Sequence, residues 1–573
     1  MSGENKKPKG IRWGVFIPAF IIIGGGALLG ILRNEWLTAS CSAIFSWSLK
    51  SFGWLYQLVA VFCLVIVAIL TFSKLGNVRF GGRNAKSKHS FGSWFAMTLT
   101  GGIATGCIVY GANEVMIYYG NIYGELEQTG IAAMTAEAAQ FGMGRVFYNW
   151  TFVPYAMYSI VGCAMAYIYF NKKEELSVAA SLTPLFGQGV KHGVWRSIID
   201  VISIVALALG LSSNLGMGLA LVGTGLEAAY GIKQGPVVWI ILFLIITATF
   251  ILASVAGLDK GIKWLANGTS KIFYILLIFL LIAGPTVYIL NMMNVGLGYW
   301  FDHFWSWGLD PYIVGGEALV TWWTMFDWAC WIAYAPLMAI FFAMISYGRT
   351  IRQFMIVNWI MPSVFGVVWF AVWSGTALNW QDLGKADIVG AITNGIAVSG
   401  LWELLKQVPI SFVIIPLVMI TMMAAFSTTA DTMATTISQI CTEGSSYDEE
   451  PANWQKVVWG LAIGIIAVVM VIFGGGQQGV EGVKYLSGVG GFCVLPIFIL
   501  QLASTFKVFF LDKIIEDVDD VMDVEPEVLE EAKEKTDRCT SASMEKGDRA
   551  FGVLSSFSSE NWRTDQLYRH LSA

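Results

Sequence analysis

Trp322-Trp323-Thr324-Met325-Phe326-Asp327-Trp328-Ala329-Cys330-Trp331-Ile332-Ala333-Tyr334 is the stretch on which the reading of this chain turns. It contains no glycine or proline, is rich in aromatic rings and carries a single acid. At about 3.6 residues per turn, Trp323, Asp327, Trp331 and Tyr334 share one helix face. Such rings either anchor a helix at a lipid headgroup layer or offer π faces to a quaternary ammonium group. The run is too long and too central to be an interfacial belt alone. A carboxyl inside an apolar helix is costly and marks a candidate functional site.

Apolar runs recur from end to end of the 573 residues, and only 13% of the chain is charged. A soluble domain has roughly 25% charged residues, so one water-facing core is excluded. A spanning helix needs about 20 apolar residues. The fold expected is all-α and integral to the lipid bilayer, with twelve transmembrane helices. The expected spans are 13–33, 54–74, 94–119, 144–170, 197–224, 236–256, 270–292, 316–346, 355–376, 411–442, 455–473 and 485–507. Lys and Arg gather in the loops on one side, as in Lys74, Arg79, Arg83, Lys86 and Lys88 before the third span. Positive loops stay inside, so both termini are expected in the cytoplasm and the protein in the cytoplasmic (inner) membrane.

Residues 1–12 read as a cytoplasmic stub before a retained span, since no small-residue cleavage site is evident. Residues 293–315 contain the aromatic stretch Asn294–Pro311 and read as an amphipathic connection on the outer face. The tail 511–573 is acidic and then Ser-rich, which suits a solvated segment or a regulatory helix. The eight cysteines are scattered and there are four histidines, so neither a disulfide framework nor a metal cluster is expected. No long basic patch points to nucleic acid.

Two further segments stand out. In the third span, Thr100-Gly101-Gly102-Ile103-Ala104-Thr105-Gly106 concentrates small residues where glycine is costly. The stretch allows close helix packing or an unwound backbone whose carbonyls hold a cation. In the tenth, Ser427-Thr428-Thr429-Ala430-Asp431-Thr432 clusters oxygen ligands that suit a small hard cation. The same hydroxyls can bond back to their own helix. Glu114 reads as a hydrogen-bonded structural carboxyl, with substrate contact as the alternative. Trp150 lies beside Pro154 and Tyr155 early in the fourth span.

Together these segments resemble the betaine/choline/carnitine transporter family over roughly residues 15 to 510. The Trp-rich helix runs into Ile345-Ser346-Tyr347-Gly348-Arg349-Thr350-Ile351-Arg352-Gln353-Phe354, which is similar to the family's I-S-x-G-R-T-I-R-E-F loop. The segments Asn149–Tyr158, Gly257–Asn267 and Thr428–Thr432 also match family patterns. The resemblance implies two peripheral spans in 13–93 and two inverted five-helix repeats, 94–292 and 316–510, often in a homotrimer. The family's aromatic site positions fall on Trp150, Tyr155, Cys330, Trp331 and Tyr334. Cys330 replaces a Trp, and Asp327 replaces an aromatic residue one turn earlier. Its sodium ligands map onto Thr428 and Thr429, with carbonyls around Thr100 and Ile103 facing them. Sodium-independent exchangers of the same kind carry an Arg where Thr269 stands.

The function implied is sodium-coupled uptake, by alternating access, of a quaternary-ammonium or related methylated-amine solute. Choline, glycine betaine, carnitine and trimethylamine N-oxide are the candidates. An acid beside the ammonium pocket suits a substrate with no carboxylate of its own, such as choline. In its neutral form the acid would donate to an N-oxide or carboxylate instead. Rival readings are a substrate/product exchanger and a membrane sensor signalling through the tail. No charged ring suggests a channel, and no nucleophile–base or metal constellation suggests an enzyme. No cofactor is expected beyond the coupling ion.

Overall fold

The computed structural model describes residues 10–516, apart from 103, 257–262, 447–448 and 474–476. The stub 1–9 and most of the acidic tail therefore lie outside the described residues. Among the described residues there are helices and two isolated bridges, Ile11 with Thr442 and Arg79 with Thr350, but no strand. Eleven helices are long and apolar enough to cross a membrane. The third expected span is the exception. It is built as Phe91–Gly102, Ala104–Tyr110 and Asn113–Gly120, none long enough to cross alone.

The last interruption of the third span, at Gly111 and Ala112, is paid for by neighbours. Trp369 Nε1 donates to the Cys107 carbonyl at 2.8 Å and Ser374 Oγ to the Gly111 carbonyl at 2.7 Å. Asn113 Nδ2 donates to the Val109 carbonyl at 2.6 Å. Broken backbone at membrane depth survives only where its polar groups are satisfied by protein. The fourth span is also broken, between Ala136–Trp150 and Phe152–Phe170. Pro154 lacks an N–H and crowds the carbonyl one turn back, so the helix restarts at Phe152.

The boundaries that differ most from those expected lie in the second and seventh spans. The second helix runs over Asn34–Phe72, starting about 20 residues before the expected span, because nothing in 34–52 interrupts a helix. At about 1.5 Å per residue it exceeds the bilayer core, which requires tilt or extension beyond it. The seventh helix stops at Ala283, where Gly284 and Pro285 interrupt it. A separate helix, Thr286–Gly308, then takes up the aromatic stretch.

The spans are not equally enclosed. In Ala136–Phe170 and Glu317–Met344, 94% of the most apolar window is buried, against 33% in Trp13–Leu32. The enclosed pair therefore lies inside the bundle, while the first helix exposes Ile21, Ile22 and Leu28 for lipid. The twelfth helix, Gln477–Phe506, packs along Gly193–Tyr230 and against the eighth, which in turn packs along Phe152–Phe170. The loop 345–354 acts as a clamp. Arg352 donates to the Thr71 carbonyl at 3.0 Å, the Ser73 carbonyl at 2.9 Å and Asn77 Oδ1 at 2.7 Å. Thr350 and Gln353 close a capping box at the start of the ninth helix. Glutamine serves as well as glutamate in that role.

Candidate functional site

Two adjoining cavities lie at the centre. The smaller, about 90 Å³, is lined by Tyr110, Trp150, Tyr158, Trp331 and Tyr334, and by Asp327 and Cys330. The wider, about 500 Å³, is lined by Tyr123, Glu317, Trp322, Trp323 and Tyr485 among others. Phe326 and Lys484 line both and mark the boundary between them.

The rings of the smaller cavity support one another. Trp150 stacks on Tyr110 with centroids 5.1 Å apart and meets Trp331 at 6.5 Å. Tyr158 lies 4.5 Å from Trp331. Two glycines make room for this cage. A Cβ on Gly106 would overlap the Trp150 ring, and one on Gly210 would crowd the Tyr334 ring. Close packing is thus one demonstrated use of the small residues in the third span. Ile103 lies outside the described residues, and of Thr100 only the helical backbone is described.

Glu114 holds the cage from behind. Its carboxylate is fully buried and accepts from Trp150 Nε1 at 2.5 Å, Tyr118 Oη at 2.7 Å and Asn149 Nδ2 at 3.0 Å. Asn149 Oδ1 accepts from Thr324 at 3.0 Å, and Thr324 Oγ1 accepts from Arg145 at 3.0 Å. The structural reading of Glu114 is therefore the one the hydrogen bonds support. Trp150 cannot turn without leaving Glu114 short of a donor.

Asp327, Trp331 and Tyr334 line one cavity, as their helical spacing requires. Trp323 does not join them. The eighth span begins as a π-helix, Glu317–Met325, and becomes α-helical only at Phe326. Bonds from i to i+5 place an extra residue in each turn, so Trp323 is rotated out of the shared face and lines the wider cavity. Its Nε1 donates to Glu125 Oε1 at 3.2 Å. Tyr155 is fully buried and lines neither cavity. Its ring buttresses Trp331 edge-on at 5.1 Å. Cys330 is half-buried on the cavity wall.

Thr428 and Thr429 are buried, and their hydroxyls donate to the Ala424 and Ala425 carbonyls at 2.8 and 3.1 Å. A hydroxyl that donates in this way keeps lone pairs to offer a cation. Thr269 is buried, and its hydroxyl has no hydrogen-bond partner among the described residues.

Sequence reasoning missed Tyr110, Tyr158, Asn214, Lys484 and Ser487. Lys484 had a visible signal, as a cation one residue before the expected span 485–507. Tyr158 had one too, since it closes the family-like segment Asn149–Tyr158. Tyr110, Asn214 and Ser487 are single residues on other helices, with no local pattern to announce them.

Glu125 sits in the loop beside the wider cavity and is almost fully buried. Burial pushes its carboxyl up to about 7, against its backbone N–H donors, the Trp323 indole and the charge of Lys484, which all favour ionisation. The folded state then holds a proton that the unfolded chain has released above its ordinary value of 4.5. Stability is expected to fall as pH rises from about 4.5 to about 7, by at most about 3 kcal/mol, and then to level off. Melting curves of the wild type and Glu125→Gln between about pH 5 and 8 check this. The variant should lose the decline, and an equal decline in both would remove Glu125 as its cause.

The chain matches known proteins over most of its length. The family model described as "BCCT, betaine/carnitine/choline family transporter" matches residues 14–513. An ectoine/hydroxyectoine transporter of Virgibacillus pantothenticus is 30% identical over 492 residues, covering 85% of this chain and 94% of that protein. An osmo-independent choline transporter of Acinetobacter baylyi is 28% identical, covering 80% and 86%. Among solved structures, a Na+-coupled sialic acid symporter aligns over 82% of this chain and 87% of its own, with 14% identity and a TM-score of 0.37.

Proposed function

Because this chain belongs to the betaine/carnitine/choline family of transporters, we propose that it takes up a small methylated or cyclic ammonium solute by alternating access, driven by sodium. The observation that carries this reading is the cavity walled by Tyr110, Trp150, Tyr158 and Trp331, with Asp327 in the same wall. Ring faces attract an alkylated cation through the ring quadrupole and require no hydrogen bond from it. The family's named substrates and the choline of one relative carry such a head, and the ectoine of the other carries a cyclic amidinium cation. In this reading the wider cavity is the route by which solute arrives, and Phe326 and Lys484 stand where it passes inward.

The sodium site is assigned to Thr428 and Thr429, on the helix Ser411–Ile440 that packs against Phe91–Gly102, with backbone carbonyls around Thr100 and Ile103 proposed as the remaining ligands. Hard oxygen donors suit a small cation. Support comes from the two hydroxyls, each anchored to its own helix. Thr269 gives further support, since it leaves no cationic side chain there to replace the ion.

Uptake into proteoliposomes, with and without an inward sodium gradient, tests both halves. Labelled ectoine, glycine betaine, choline and carnitine form the panel. The wild type is expected to accumulate at least one of them only with sodium. Thr428→Ala with Thr429→Ala should raise the sodium concentration needed at half-maximal rate by about tenfold, equivalent to about 1.4 kcal/mol of lost ligation. Rapid counterflow without any ion gradient would replace symport by exchange and leave both threonines structural.

A further inference from the structure

We propose that the smaller cavity is built for a zwitterion: its cationic end donates N–H hydrogen bonds to Asp327, and its carboxylate is met by Lys484. This rests on the transport reading above and narrows its substrate class.

Asp327 is only 4% exposed and lines the cavity, and its Oδ2 has no hydrogen-bond partner among the described residues. A buried acceptor left unmatched forfeits its hydration without return. A trimethylammonium head has no N–H, so it cannot answer that oxygen. A secondary or tertiary ammonium, or a cyclic amidinium, can do so and still lay its carbon surface against Trp150 and Trp331.

Lys484 supplies the complementary charge. It lines the same cavity, with its ammonium 5.1 Å from the Trp323 ring centroid and 5.7 Å from that of Phe326. Opposite charges in one small chamber balance each other. A lone cation such as choline would gain Asp327 but meet Lys484, and a lone anion would meet Asp327. Only a molecule carrying both charges engages both without repulsion. Lys484 therefore reverses what Asp327 suggests alone, namely a substrate with no carboxylate. Ser213, Asn214 and Ser487 add polar atoms to the wall, which suits a ligand that is not alkylated all round.

The test is a matched series on the full-length protein in detergent, with affinities measured calorimetrically. Glycine betaine and N,N-dimethylglycine share a carboxylate but differ by one N–H. Ectoine presents an amidinium and a carboxylate, and choline has no carboxylate. The wild type should bind N,N-dimethylglycine and ectoine at least about tenfold more tightly than glycine betaine, with choline weakest, as a charge-assisted bond warrants. Asp327→Asn should shrink the gap between N,N-dimethylglycine and glycine betaine. Lys484→Gln should shrink that between glycine betaine and choline. Tightest binding of glycine betaine or choline would overturn the zwitterion proposal while leaving the transport reading standing. Binding of none of the four would overturn both. The wild-type series decides the substrate class even if a variant does not fold.

Discussion

Replacing Glu114 by leucine is expected to remove most of the folded protein. The carboxylate is the common acceptor for Trp150, Tyr118 and Asn149, all inside the enclosed centre. Leucine fills a similar space and accepts nothing. Each stranded buried donor costs about 1–3 kcal/mol, so three cost about 3–6 kcal/mol if only partly additive. Whole-domain stabilities are about 5–15 kcal/mol. Size-exclusion after stepwise heating should show the Glu114→Leu protein lost at least about 10 °C below the wild type. Glu114→Gln keeps one acceptor oxygen and should recover roughly half of that loss. A Glu114→Leu protein that melts with the wild type would mean that the network contributes little.

Gly491→Ala is expected to damage binding as severely, by a different route. Gly491 lies on the twelfth helix, where it meets the backbone of Ala329 on the eighth. A Cβ there would fall on the Ala329 carbonyl oxygen, deep inside contact distance. Backbone cannot step aside as a flexible side chain can, so the two helices must part. Ser487 lies one turn before Gly491, and Lys484 precedes it on the same helix, while Asp327 and Cys330 flank Ala329. Separating the helices would widen the chamber between them. Overpacking costs about 1–3 kcal/mol, and affinity for any bound substrate should fall at least about tenfold. Gly25→Ala is the control, since nothing lies within 4 Å of a Cβ at that position. It should leave affinity unchanged and, if anything, steady the first helix by up to about 1 kcal/mol. Equal affinity in Gly491→Ala and wild type would show that the helix contact is not what sets the chamber.

Much of this molecule was legible from residues alone. Composition and apolar run length determine an all-helical membrane protein, because unpaired backbone in lipid leaves no other choice for such runs. Regular α-spacing determines that Asp327, Trp331 and Tyr334 face one way, because they follow one another within an unbroken helix. The motifs 345–354 and 149–158 carried the family, and Glu114 was read as structural before any partner was known. The helix ends were less legible where nothing local stops a helix, as at Asn34, or where Gly284 and Pro285 do.

Tertiary structure alone decided the rest. The π-wound start of the eighth span turns Trp323 away from its neighbours, and no residue pattern in Glu317–Met325 announces that winding. Tyr155 falls on an aromatic site position implied by the family resemblance yet packs behind Trp331, because what faces a cavity depends on the helix across from it. Lys484 joins Asp327 only when the twelfth span packs on the eighth. Sequence periodicity reports which side chains of one helix point together. The cavity lies between helices from distant parts of the chain, and the charge balance inside it is a property of their packing.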